Sequence, residues 1–206
     1  DRLVVAGGRM ALQEEALGSV EHLLFSKYLM YRNVYWHTTT RSATAMIKKA
    51  VLASLSDGSL QAEDLYGLDD EQFFSLPQLK QFTYSNLFSL MRDNQLYTVA
   101  FEKPYEEEGV LETKNKDLFS RLSFEERIAN KLGCDPSEVI VDIPEPISFE
   151  ADLPILHDNG SISTFGEVDY LFSYDIGSVF TKSLRKFRIF TPHTISSEAL
   201  GRALEF

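Results

Sequence analysis

The stretch that most constrains this chain runs from Glu14 to Ser56, EEALGSVEHLLFSKYLMYRNVYWHTTTRSATAMIKKAVLASLS. Leu17, Val20, Leu24, Tyr28, Tyr31 and Tyr35 recur there at three- and four-residue steps, which places them on one side of a helix. Along the edge of that stripe Lys27, Tyr31 and Tyr35 stand at i, i+4 and i+8, so a cation and two phenols stack up one face. The β-branched run Thr38-Thr39-Thr40 lowers helix propensity and predicts a break just after His37. A second amphipathic helix is predicted over Arg41 to Leu55, with Asp57-Gly58 as its stop. Read by pattern alone, the first helix is a core helix whose basic groups reach out to solvent.

The remaining segments supply shorter elements. Leu3-Val4-Val5 and Met10-Ala11-Leu12 flank Gly7-Gly8, a hairpin signal because a tight turn needs positive φ at its centre. Residues 64 to 71 predict two short helical turns with acidic starts, and Gln78 to Arg92 predicts a further helix. Leu96 to Glu102 reads as a strand, followed by an exposed acidic loop at Glu106-Glu107-Glu108-Gly109. Ser123 and Glu126 have capping-box spacing for a helix that closes at Gly133. Beyond it come a strand at Val139 to Ile143, a hairpin of Leu153 to Leu156 with Ile162 to Phe165 around Asn159-Gly160, and a helix over Val168 to Lys182. A strand at Phe187 to Phe190 and a last helix, capped by Thr194 or Ser196 and running to Leu204, complete the pattern. The fold class predicted is α+β and mainly helical, with a helical part over 1–133 and a small α+β subdomain over 134–206.

Composition narrows the function classes. With 44% hydrophobic and 25% charged residues among 206, a sizeable core can form. No apolar run is long enough for a membrane span and no signal pattern opens the chain, so a soluble, cytoplasmic protein without a membrane partner is expected. One cysteine, Cys134, excludes an internal disulfide and a multi-cysteine zinc site. The net charge of −11 argues against nucleic-acid coating. That charge is uneven: residues 1 to 56 hold seven Lys/Arg against four Asp/Glu, and residues 57 to 206 hold thirteen against twenty-seven. A polyanionic ligand would favour the N-terminal helices.

The string Lys27-Tyr28-Leu29-Met30-Tyr31-Arg32-Asn33-Val34-Tyr35-Trp36-His37-Thr38, followed by Arg41-Ser42-Ala43 and Ala45-Met46-Ile47, resembles the helix that follows the metal site in HD-domain phosphohydrolases. Within that superfamily it is most similar to the deoxynucleoside triphosphate triphosphohydrolase branch, which includes the SAM- and HD-domain enzyme of animals. The resemblance implies that Lys27 meets the terminal phosphate of a nucleotide, at a position where a relative has Arg. It implies that Tyr35 stacks on sugar and base, that His37 lies near the base edge, and that Tyr31 and Arg32 are neighbouring pocket positions. Thr38 replaces the Lys through which the animal enzyme contacts an activating nucleotide, which puts activation by that contact in doubt.

The same resemblance implies a divalent metal held by a His, a His-Asp pair and a later Asp. The four histidines here are His22, His37, His157 and His193, and the only His-Asp pair, His157-Asp158, falls in a hairpin beside Asn159-Gly160. The metal ligands are therefore expected upstream of Asp1 in a parent protein, and this chain alone is expected to bind no metal and to be inactive. A nucleoside triphosphate substrate and a homo-oligomer are the expected partners. Two other readings stay open: a non-catalytic assembly or regulatory module, motivated by Phe73, Phe74, Phe82, Phe88, Phe119 and Phe124, and an HD phosphohydrolase of another phosphate ester.

Overall fold

The structure is a computed structural model that describes residues 2–146, 153–168 and 174–205. In chain order its strands and helices are β1 (Leu3–Ala6), β2 (Arg9–Gln13), α1 (Leu17–Met30), a π-helical turn (Tyr31–Tyr35), α2 (Thr38–Asp57), α3 (Asp70–Ser75), α4 (Asn86–Arg92), β3 (Thr98–Pro104), α5 (Val110–Lys114) and α6 (Leu118–Leu132). There follow β4 (Ile140–Asp142), β5 (Pro154–Leu156), β6 (Ile162–Thr164), α7 (Phe165–Val168), α8 (Tyr174–Leu184), β7 (Lys186–Thr191) and α9 (Ser197–Leu204). Short 3-10 turns fill several of the gaps. The fold is α+β and mainly helical, as the residue pattern predicts.

The chain forms two compact units: Asp1–Trp36 with Glu145–Arg185, and His37–Pro144 with Lys186–Phe206. The division predicted from sequence, 1–133 and 134–206, runs across both. Composition changes near 134, but pairing between distant strands decides which segments fold together.

In the first unit Gly7 and Gly8, at φ 59° and 76°, make the tight turn between β1 and β2 and pair Leu3 with Leu12. The sheet then grows non-locally: β2 pairs parallel with β5, and β5 antiparallel with β6, giving the order β1-β2-β5-β6. Leu12, Ala16, Leu24, Ile155 and Phe165 form its core, with Leu17, Val20 and Phe180 packed against them. The first half of the predicted stripe is thus internal. Of the predicted helix Val168 to Lys182, residues 169–173 lie outside the described residues; α7 ends at Val168 and α8 begins at Tyr174.

The second unit is built on an antiparallel sheet of order β3-β7-β4. Side chains alternate along β7, so that Phe190 joins a core of Met46, Ala50, Leu87, Phe88 and Tyr97, while Phe187 and Ile189 join a second core of Phe124, Ile128, Val141 and Leu200. Phe82, Phe88 and Phe124 are buried and Phe73 and Phe74 pack on the first core, leaving Phe119 as the exposed member of the predicted apolar inventory.

Several local predictions shift by identifiable causes. α2 begins at Thr38, because His37 caps it: the Thr39 backbone N–H donates to His37 Nδ1 at 3.4 Å, and β-branched residues sit in the first turn. Its stop at Gly58 is as predicted, with φ 78°. The helix predicted over Gln78 to Arg92 is broken at Tyr84, which has φ 62°, so that α4 starts only at Asn86. Ser123 lies inside α6 rather than at its start, because Asp117 accepts the Ser120 N–H at 2.9 Å and opens the helix earlier. Gly133 at φ 68° and Ser196, which accepts the Ala199 N–H at 3.2 Å, end and begin helices as predicted.

Candidate functional site

α1 carries large apolar side chains on more than one side, so packing one side into the core leaves others exposed. Leu23, Phe25, Met30, Val34 and Tyr35 stand 41–68% exposed along α1 and the turn that continues it. This is the sequence stripe diverging from the core: Tyr28 meets the Phe180 ring at 4.2 Å, Tyr31 is half-buried, and Tyr35 faces out.

α1 changes pitch where the predicted ligand residues lie. The Tyr31 N–H donates to the carbonyls of Lys27 and Tyr28, and the Trp36 N–H then reaches back five residues to the Tyr31 carbonyl at 2.8 Å. A π turn of this kind inserts an extra residue and is recurrent at functional sites. It keeps Tyr31 and Tyr35 together, with ring centroids 5.2 Å apart at 58°. Trp36, 6% exposed, packs edge-on against Tyr31 at 5.6 Å and 82°, fixing the phenol from its other side. Sequence reasoning gave Trp36 no role; its being the sole tryptophan was the available signal.

Lys27 is half-buried on the last turn of α1, one helical turn before Tyr31, and Arg32 is exposed on the π turn. Lys27, Tyr31, Arg32 and Tyr35 therefore share one helical segment of the first unit. His37 is the first residue of the second unit, where it is exposed and acts as the cap of α2. The arrangement on the first unit sets a cation beside two phenolic rings, a surface able to meet phosphate at one end and a flat heterocycle at the other.

The basic residues of α2 are engaged differently. Arg41, part of the resemblance string, is buried and forms a bidentate pair with Asp142, its Nε donating to Oδ2 at 2.9 Å and a second nitrogen to Oδ1. Lys49 is also buried, and its Nζ donates to Glu125 Oε2 at 2.6 Å and to the carbonyls of Pro136 and Val139 at 2.6 and 2.8 Å. Burial drives the Glu125 carboxyl above its ordinary range, against the opposing pull of Lys49 and the Val141 N–H. These buried charges are completed by partners within the fold.

Among the described residues no group of three His, Cys, Asp or Glu side chains could hold a metal ion. His157 Nδ1 lies 2.8 Å from Glu14 Oε2, tying the hairpin to the N-terminal segment, and its Nε2 lies 2.6 Å from Ser163 Oγ within the hairpin. No described helix is long and apolar enough to cross a membrane.

Residues 1–193 match the family model of the HD associated region. An uncharacterized protein of Methanocaldococcus jannaschii, MJ1154, is 28% identical over 156 residues, which cover 74% of this chain and 33% of that protein. A phosphohydrolase of Bacteroides thetaiotaomicron, BT4208, aligns with a TM-score of 0.59 at 17% identity, over 93% of this chain and 54% of the other. A hypothetical protein of Aquifex aeolicus aligns with a TM-score of 0.61 at 17% identity, over 99% of this chain and 49% of the other. At that identity the two structures establish likeness of fold, and the chain spans about half the length of each and a third of the archaeal relative. By its family match over nearly its whole length, the chain belongs to the HD-associated region family.

Proposed function

We propose that this chain supplies the phosphate- and base-contacting wall of an HD-superfamily phosphohydrolase that converts deoxynucleoside triphosphates to deoxynucleoside and triphosphate. The observation that carries the reading is the ridge of Lys27, Tyr31, Arg32 and Tyr35 on the π-distorted end of α1, with Tyr31 wedged between Tyr35 and Trp36. Lys27 binds the terminal phosphate as a point charge, and Arg32 adds positive charge beside it. Tyr35 offers its ring to the sugar and base, and Tyr31 holds Tyr35 in place. In this reading the divalent ion and the activation of water are supplied from upstream of this segment, as the resemblance implies. The exposed apolar side of α1 is the surface on which that part packs.

Lys27→Ala and Tyr35→Ala in the full-length protein test the reading. Each is expected to lower dNTP hydrolysis about 10²-fold or more, with circular dichroism and the unfolding midpoint unchanged; hydrolysis at the wild-type rate in both rejects it. His37→Ala is assayed separately, because His37 belongs to the second unit.

The exposed side of α1 also favours a second reading, an assembly module without chemistry. Light scattering decides this: a chain that stays monomeric at high concentration and has no affinity for the full-length protein excludes it.

A further inference from the structure

A cleft of about 850 Å³ lies wholly within the second unit and plays no part in the function proposed above. Its size falls within the roughly 300–1,000 Å³ common for small-molecule sites. One wall is the segment around α4, from Tyr84 to Tyr97; the other is the turn from Asp135 to Glu138 together with residues 192–194.

The lining has a definite chemistry. Asn86, Asn94 and Gln95 bring amides, each able to donate and accept. Asp135 and Glu138 bring carboxylates and His193 an imidazole, while no lysine or arginine is among the described lining residues. Lys49 has its Nζ 5.2 Å from the Tyr84 ring centroid, but it is buried and already bound to Glu125. Asp135 stays ionised, because hydrogen bonds from Ser137 hold its carboxyl below the usual range. Tyr97 stays protonated, since burial and then the nearby Glu138 push its phenol up to about 12.

A second observation singles out the same place. Tyr84 at φ 62° and Asn94 at φ 55° are the non-glycine residues with positive φ among those described, and both line this cleft. A tyrosine held in the left-handed region is a strained arrangement that the surrounding structure must enforce, and such residues cluster at ligand sites.

We propose that this cleft binds an unphosphorylated nucleoside. The Tyr84 ring suits a flat base, the amides match the mixed donor and acceptor edge that a base presents, and the carboxylates accept from sugar hydroxyls or an exocyclic amine. The same two carboxylates, with no lysine or arginine among the described lining residues, repel a phosphate. The inference does not rest on the triphosphohydrolase reading, since it concerns other residues on the other unit.

The test is isothermal titration of the 206-residue chain carrying Lys27→Ala, which silences the ridge, with deoxyadenosine and with dAMP as its phosphorylated counterpart. Deoxyadenosine is expected to bind saturably and dAMP at least tenfold more weakly. Adding Asn94→Gly and Gln95→Ala, the first of which suits the left-handed backbone, should weaken deoxyadenosine at least tenfold at an unchanged unfolding midpoint. Glu138→Gln, which retains an acceptor for the Asp135 N–H, should narrow the gap between the two ligands by removing the repulsion. No saturable deoxyadenosine binding, binding indifferent to the amide changes, or dAMP binding as tightly as the nucleoside would each overturn the proposal. Failure of the triphosphohydrolase reading is read separately, in the hydrolysis assay of the full-length protein.

Discussion

α1 with its π turn and α2 are consecutive in the chain and both carry basic residues, yet they use them in opposite ways. In α2, Arg41 and Lys49 are buried and closed by carboxylates and carbonyls from far along the sequence. On α1 and its π turn, Lys27 is half-buried and Arg32 exposed, the same segment carries the tilted Tyr31–Tyr35 pair, and several of its apolar side chains stay open to solvent. The difference teaches that a helical pattern of cations and apolar residues does not by itself separate architecture from recognition. What separates them is burial: the α2 charges are sealed in the interior, while the α1 segment keeps large apolar side chains at the surface.

The largest effect that can break this contrast is on stability. Lys49→Ala strands the Glu125 carboxylate in the interior and is expected to lower the unfolding free energy by about 3–5 kcal/mol, measured by urea denaturation. Arg32→Ala, at an exposed position on the π turn, should change it by no more than about 0.5 kcal/mol. Equal losses in the two variants would erase the distinction. Trp36→Ala, which removes the buried ring behind Tyr31, should cost about 3–5 kcal/mol, whereas Tyr35→Ala on the same turn should cost about 0.5 kcal/mol or less. A Tyr35 loss as large as that of Trp36 would make the phenol a core residue.

A pH dependence sharpens the comparison within the second unit. Partial burial opposes ionisation of Glu102, but Lys186 and Arg188 outweigh it and bring its carboxyl below the ordinary 4.5. A carboxyl lowered on folding stabilises the protein above its unfolded value, and that contribution is lost as pH falls through the folded value. The midpoint difference between wild type and Glu102→Gln should therefore be constant above about pH 4.5 and shrink at lower pH; a difference that grows on acidification contradicts the pairing. The smallest effect is local. Gly58→Ala, at φ 78°, should cost about 1 kcal/mol, against no cost from an alanine at the exposed, helical Ser56.

What was legible in the sequence was whatever local chemistry dictates. Gly7-Gly8 made its turn, Gly58 and Gly133 ended their helices, and Ser196 began one, because each acts on its immediate neighbours. The grouping of Lys27, Tyr31 and Tyr35 was legible as helical spacing, although the π turn that follows Met30 was not. The missed features are those set by distant partners. Nothing near β2 announces that it pairs with β5, and nothing in the Arg41-Ser42-Ala43 string reveals Asp142 as the carboxylate that buries Arg41. Ser123 misled because its capping spacing is genuine, but Asp117 offers the backbone an earlier start. His37 was grouped with the ridge by the resemblance; its use as the cap of α2 was not legible.

The most direct measurement is phosphorus NMR of the full-length protein incubated with a dNTP and a divalent metal, wild type beside Lys27→Ala. The account predicts that inorganic triphosphate accumulates with the wild type and is nearly absent with a folded Lys27→Ala variant. Pyrophosphate or monophosphate as the wild-type product, or triphosphate appearing at the same rate in both, would contradict it.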